Sequence, residues 1–258
     1  MMNEEIVKLL HEAGNIILSA KDIGKSVKEK EGSVNFVTKF DVQVQKLIEE
    51  RLLSLYPDAV FMGEEDEERP DAYKGKVFIV DPIDGTTNFI KGCNDSAISI
   101  GLLEDGVVIL GATYDPYRDE LFYAEKGKGA FLNGEPIHVA DCGLSDSLVC
   151  FGTSPYYEEM IPETFALAEK LVREAMDLRR SGSAVIDFGR LARGCAGFMF
   201  EMRLSPWDYA ASSLIITEAG GVISQMDGSP LDFNNPCSVV AGTPKAYKDF
   251  FDRKLNLI

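Results

Sequence analysis

Apolar side chains at Ile6, Leu9, Leu10, Ala13, Ile16, Ile17 and Ala20 recur at helical spacing and predict an amphipathic helix from residue 3 to about 22. Residues 24–37 break that rhythm with Lys, Glu, Gly and Ser and read as a mobile loop, a candidate lid. A second helix follows, with Val42, Leu47, Ile48 and Leu52 facing inward, and ends before Pro57. Val60-Phe61-Met62 is a short apolar strand. Lys76-Val77-Phe78-Ile79-Val80 is a second, buried one, which Pro82 is expected to stop at once because it has no N–H for a ladder.

From residue 96 to 140 the pattern turns to hairpins. Ala97–Leu103 and Val107–Tyr114 flank Glu104-Asp105-Gly106, and Leu121–Ala124, Ala130–Leu132 and Ile137–Val139 follow, with Asn133-Gly134 as a tight turn. Beyond residue 145 strand and helix alternate: Leu148–Phe151, a helix near 158–173, Met176–Leu178, a helix near 183–194, Gly197–Glu201, a helix near 207–219, Val222–Ser224, Val239–Ala241 and a helix near 244–254. This predicts a layered α/β chain: one domain of two tightly packed halves, 1–142 with an antiparallel sheet and 143–258 with an α/β arrangement. No repeat, low-complexity tract or linker separates them.

Composition narrows the function. At 45% hydrophobic and 26% charged the 258 residues suit a globular protein. No apolar run reaches membrane length and the start is acidic, so a soluble cytoplasmic protein is expected. The net charge of −16 disfavours nucleic acid as a partner, and a phosphate substrate would need bound metal to reverse the local sign. Five scattered cysteines without a C-x-x-C read as reduced, mostly buried thiols, Cys93 among them. With only His11 and His138, a His-built zinc site is not expected, and His11 reads as structural or solvent-exposed.

The chemistry concentrates in Asp81-Pro82-Ile83-Asp84-Gly85-Thr86-Thr87-Asn88-Phe89. The strand delivers Asp81 to its carboxyl end, the turn presents Asp84, Gly85 permits a bend, and Thr86 is expected to cap a helix. Two carboxylates with no basic neighbour repel unless a cation lies between them, and a divalent metal is the economical answer. The strand ending at Met62 also runs into acid, Gly63-Glu64-Glu65, which would gather Glu64, Asp81 and Asp84 at one rim. Asp41 and Asp208 each fall in the first turn of a predicted helix, where an acid ordinarily caps or offsets the dipole.

Four segments together resemble the inositol monophosphatase family of magnesium-dependent, lithium-sensitive phosphatases, over nearly the whole chain. They are Val37-Thr38-Lys39-Phe40-Asp41, Gly63-Glu64-Glu65, the Asp81–Phe89 string, and Trp207-Asp208-Tyr209-Ala210-Ala211 with Glu218-Ala219-Gly220-Gly221. Thr87-Asn88-Phe89 favours the monophosphatase branch over bisphosphate nucleotidases. The resemblance implies a five-layer α-β-α-β-α sandwich and a homodimer. It implies two or three Mg²⁺: one on Glu64, Asp81 and the carbonyl of Ile83, one on Asp81, Asp84 and Asp208, and a weaker third near Glu64. An activated water would attack phosphorus, with Thr86 and Asp41 orienting it. Gly85, Thr86 and Thr87 would hold phosphate, and Glu201, Thr153, Ala184, Asp84 and Asp208 would meet the rest of the substrate.

Competing patterns fail on spacing. Gly24-Lys25-Ser26 lacks the upstream glycine of a P-loop and follows a helix. A haloacid dehalogenase-type nucleophile would stand two residues before the second Asp, whereas Asp81 and Asp84 are three apart. An EF-hand would want Glu where Gly92 stands. Inositol-1-phosphate is the expected substrate; fructose-1,6-bisphosphate, histidinol phosphate and a nucleotide 3′-phosphate fit the same core, and a regulatory binding role is the other class. Gly92-Cys93-Asn94-Asp95 departs from the family's usual aromatic and Pro residues there.

Overall fold

The computed structural model describes residues 3–21, 23, 27–29 and 36–257. Helices α1 (Glu4–Ser19) and α2 (Lys39–Leu55) enclose the short β1 (Lys28–Glu29) and β2 (Phe36–Val37), which pair antiparallel. These two strands and Val27 are what is described of the predicted lid; residues 24–26 and 30–35 lie outside the described residues. Next come β3 (Ala59–Gly63), β4 (Lys76–Asp84), α3 (Thr86–Lys91), β5 (Ala97–Glu104), β6 (Val107–Asp115), β7 (Glu120–Glu125), β8 (Ala130–Leu132) and β9 (Glu135–Ile137). The remainder is β10 (Leu148–Phe151), α4 (Ile161–Glu174), β11 (Asp177–Arg179), α5 (Ala184–Ala192), β12 (Phe198–Leu204), α6 (Pro206–Glu218), β13 (Val222–Ser224), β14 (Cys237–Gly242) and α7 (Pro244–Asp252).

Strands β3 to β9 form a seven-stranded sheet in sequence order, antiparallel except for the parallel β3–β4 pair. The other sheet has five strands in the order β11-β10-β12-β14-β13. Three apolar cores define the layers. One packs Ile6, Leu9, Ile17 and Ile48 of α1 and α2 against Phe78, Ile100 and Ala112 on one face of the large sheet. The central one joins that sheet's other face (Val77, Ile79, Leu103) to α5 and α6 and to Met199 and Val239 of the small sheet. A third packs Leu167 and Leu171 of α4 and Phe250 of α7 on the small sheet's far face. The fold is thus the expected α-β-α-β-α sandwich.

Helix α6 shows why the middle layer forms. An amphipathic stripe would suit one sheet, but α6 is buried nearly all round, from Trp207 through Ile216, because both flanks face a sheet. Its close approach needs Gly111, where an added Cβ would lie 2.4 Å from the Ala211 carbonyl.

Several expectations shift. β4 does not stop at Pro82: it continues to Asp84 with a register shift between Asp81 and Asp84. Pairing with β3 ends at Val80, so the missing N–H of Pro82 falls at an irregular point of the ladder. Gly85, in the left-handed region at φ 83°, caps α3, and Thr86 is its first helical residue rather than its cap. The last hairpin strand is Glu135–Ile137 rather than Ile137–Val139, because the two-residue Asn133-Gly134 turn (φ 50° and 86°) pairs Leu132 directly with Glu135. All five thiols are free, but only Cys150 is buried; Cys93 and Cys195 are exposed. His11 is exposed, bonded to the Val7 carbonyl at 2.9 Å.

Candidate active site

Carboxylates from three places in the chain converge between the two sheets. Single side-chain oxygens of Asp81, Asp84 and Asp208 lie within 4.8 Å of one another. Asp81 and Asp84 are buried, at 2% and 8% exposure, and Asp208 is half-buried. The β4 irregularity aims the first two: Asp81 Oδ1 accepts the Ile83 N–H at 2.9 Å across it. Asp84 Oδ2 accepts the Val185 N–H at 2.9 Å and the Ser183 hydroxyl, so the start of α5 holds it. Asp208 is the third residue of α6 and takes the Ser205 N–H at 2.7 Å through Oδ2. Ser99, paired with Asp81 in the ladder, donates its hydroxyl to the Trp207 carbonyl at 3.1 Å and docks that helix start beside the strand.

Burial, then the neighbouring carboxylates of Glu64, Asp84 and Asp208, push the Asp81 carboxyl well above its ordinary range. Burial and Asp84 do the same to Asp208. Asp84 is pushed up to about 6, again chiefly by burial, with Ser183 and Val185 pulling against it. Buried acids stacked without a counter-charge suit hard divalent cations, which prefer such oxygen donors. The donor set fits a Mg²⁺-type ion.

Glu64 follows β3, its N–H on the Val80 carbonyl at 3.1 Å, close enough to raise the acids of Asp41, Asp81, Asp84 and Asp208. Its loop is fastened by Gln45 of α2, which donates to Asp66 Oδ1 at 2.8 Å and accepts the Glu65 N–H at 3.0 Å. Asp41 is fully buried at the third position of α2. Its Oδ2 takes the Thr38 N–H and hydroxyl at 2.8 and 2.6 Å, and its Oδ1 takes the Thr86 hydroxyl at 3.4 Å. The same hydroxyl lies 3.1 Å from the Ile83 carbonyl. Burial raises the Asp41 carboxyl, against the Thr38 bonds. Gly85 and Thr87 flank Thr86 at the start of α3, Thr87 exposed.

Glu201 lies on β12, 9% exposed, with Oε1 accepting the Ser154 N–H and hydroxyl, both at 3.2 Å. Burial pushes its carboxyl up to about 7. Thr153 precedes Ser154 in that loop, and Ala184 follows Ser183 at the start of α5. The predicted residues therefore cluster at one rim, the three-Asp group forming its centre. Sequence reasoning missed the residues that hold them: Thr38, Gln45, Ser99, Ser154 and Ser183. It also missed Tyr156, whose phenol is held above its ordinary range by burial first and then by the carboxylates of Glu64, Asp208 and Asp84. Only the Ser/Thr-x-x-Asp spacing at Thr38 and Ser205 was a sequence signal for any of this.

Buried acids gathered at strand ends and helix starts of a five-layer sandwich define a metal-dependent hydrolase. The chain belongs to the inositol monophosphatase family, a family of metal-dependent phosphatases whose model matches residues 2–256. It is 31% identical to an inositol-1-monophosphatase of Bacillus subtilis over 99% of this chain and 97% of that one. It is 33% identical to the Nus factor SuhB of Escherichia coli (94% and 91% covered), and 33% identical to a fructose-1,6-bisphosphatase/inositol-1-monophosphatase of Thermotoga maritima (86% and 84%). A staphylococcal inositol monophosphatase bound to inositol monophosphate superposes with a TM-score of 0.84 at 28% identity, covering 98% of this chain and 94% of that one.

Proposed function

We propose that this chain hydrolyses inositol-1-phosphate to inositol and inorganic phosphate with Mg²⁺. The observation that carries the reading is the convergence of Asp81, Asp84 and Asp208, two of them buried and the third half-buried. Glu64, Asp81 and the Ile83 carbonyl would hold one ion, Asp81, Asp84 and Asp208 a second, and Glu64 would border a weaker third. Bound there, the ions would neutralise phosphate charge, lower the pKa of water and stabilise the leaving alkoxide.

The rest is the work of the chain. The first-turn N–H groups of α3, with those of Gly85, Thr86 and Thr87, would bind phosphate oxygens, since the start of a helix leaves its donors without intrahelical partners. Thr86 Oγ1 would accept the proton of the attacking water and pass its own to Asp41 Oδ1, 3.4 Å away, turning from the Ile83 carbonyl at 3.1 Å. The buried, upshifted Asp41 carboxylate is a better proton acceptor than an exposed one. Glu201, with Thr153 and Ala184, would receive the hydroxyls of the polyol, and Asp84 and Asp208 would border the ester oxygen.

Lithium sensitivity, a homodimer and a cytoplasmic location rest on the resemblance and the composition. Among the described residues no helix is long and apolar enough to cross a membrane. The Thermotoga relative's name supports fructose-1,6-bisphosphate as a second substrate, and the SuhB name supports a regulatory role beside catalysis. Phosphate release with and without Mg²⁺ is to be measured on inositol-1-phosphate, fructose-1,6-bisphosphate, histidinol phosphate and a nucleotide 3′-phosphate. Metal-dependent turnover, fastest on inositol-1-phosphate and abolished by Asp84→Asn, is expected. Faster turnover of another ester would replace the substrate, and a folded protein inert on all four would favour the binding role.

A further inference from the structure

Three segments of the chain meet around Gly85: the turn after β4, the loop before β5 and the loop before α5. An added Cβ on Gly85 would lie 2.8 Å from the Asp95 carbonyl oxygen, 3.2 Å from Ser183 Cβ and 3.4 Å from the Gly182 carbonyl oxygen. Ser96 donates its hydroxyl to the Gly85 carbonyl at 3.1 Å and ties two of the segments together. Loop carbonyls packed this closely need donors from outside the regular ladders.

Asn88, the third residue of α3, supplies two. Its carboxamide nitrogen donates to the Asp95 carbonyl at 2.7 Å and to the Ser181 carbonyl at 3.0 Å. Both partners are carbonyl oxygens, so the nitrogen end of the amide must face them, with one proton for each. Gly182, at φ 86°, lies against the same carboxamide, where an added Cβ would stand 3.1 Å from the nitrogen. From Ser181 the bonds run on toward the aspartates. Its hydroxyl donates to the Ser183 carbonyl at 2.8 Å and takes the Ser183 N–H at 3.1 Å. The Ser183 hydroxyl in turn donates to Asp84 Oδ2, beside the Val185 N–H. The backbone from Asp84 to Asn88, with the Phe89 N–H on the Gly85 carbonyl at 3.0 Å, closes the ring.

We infer that Asn88 is a positioning residue for the Asp84 carboxylate. By tying α3 to both neighbouring loops it holds Ser183, and through Ser183 it fixes the orientation in which Asp84 meets a cation. A carboxylate in its place would set acceptor against acceptor, and an aliphatic side chain would take the donor from both carbonyls. The inference rests on the Mg²⁺-dependent phosphatase reading above.

The test is calorimetric titration of Mg²⁺ into wild type, Asn88→Ala, Ser183→Ala and the double variant, with the Tm of each. Residues that directly support a metal ligand are worth about 10- to 100-fold in affinity, and Asn88 acts one contact further out, so Asn88→Ala should weaken Mg²⁺ binding about three- to ten-fold. The double variant should bind about as weakly as Ser183→Ala alone, because both changes break one chain of contacts. Should Asn88→Ala fail to fold, Asn88→Ser carries the same comparison, being shorter and having one proton to give. Unchanged Mg²⁺ affinity with only a lowered Tm overturns the inference: Asn88 would then be a structural staple, and the metal reading would stand. Losses that multiply in the double variant overturn it too, since Asn88 would then act by a route other than Ser183. Wild type that binds no Mg²⁺ overturns both readings.

Discussion

Asp41 and Asp208 occupy the same local position and meet different surroundings. Each is the third residue of a helix, and each spends Oδ2 on the backbone N–H of the capping residue, Thr38 or Ser205. Asp208 also brings a carboxylate oxygen into the group with Asp81 and Asp84. Asp41 keeps its other oxygen for the Thr86 hydroxyl. The cap is thus a device for aiming a carboxylate: one oxygen is fixed by the helix start, and the carboxylate as a whole is turned toward the aspartate group in one case and toward Thr86 in the other. Choosing between structural and functional roles for such an acid is a false choice here.

The largest contrast is expected between two isosteric changes. Asp208→Asn should lower Mg²⁺-dependent phosphate release by about 10³-fold or more, through lost metal binding. Asp41→Asn should cost about 10²-fold in kcat, as loss of a proton acceptor does, while Mg²⁺ affinity measured by calorimetry stays close to wild type. Equal loss of metal affinity in both would erase the distinction. A step smaller, Ser183→Ala removes a hydroxyl that orients Asp84 and should weaken Mg²⁺ binding about ten-fold, the lower end for residues supporting a ligand.

Acidity sharpens the contrast further. Burial pushes the Asp84 carboxyl from an ordinary 3.8 up to about 6, and that of Glu201 from 4.5 up to about 7. Folded pKa values that are raised favour the protein below the unfolded values, and that stability is lost as pH rises through about 6 and then 7. Mg²⁺ neutralises the Asp84 share, so the rise in Tm on adding Mg²⁺ should grow from pH 5 to pH 8. A shift independent of pH would argue against ions at these acids. The smallest effects should come from the caps: Thr38→Ala and Ser205→Ala each cost about 1 kcal/mol, a fall in Tm of about 2–4 °C by thermal melting. Thr38→Ala should also slow kcat, since it frees Asp41.

Much of this was legible in the chain. The helical stripe of α1, the hairpin run and the later alternation carry the layers, and the Asp81–Phe89 string marks the centre. What was not legible depends on contacts distant in sequence. Pro82 reads as a strand end, yet the ladder accommodates it because β3 pairing has already stopped at Val80. Ser183 reaches Asp84 across 99 residues and Ser99 reaches Trp207 across 108, and neither position bears a local mark. Cys93 was expected to be buried, but it follows Gly92 and precedes Asn94, both at positive φ, where the chain turns outward from α3.

The central claim is that the three clustered aspartates, Asp81, Asp84 and Asp208, form a metal centre, and calorimetric titration of Mg²⁺ into wild type, Asp208→Asn and Asp41→Asn at neutral pH tests it most directly. Saturable binding that persists in Asp41→Asn and disappears in Asp208→Asn is the predicted result. Binding undiminished in Asp208→Asn would contradict it.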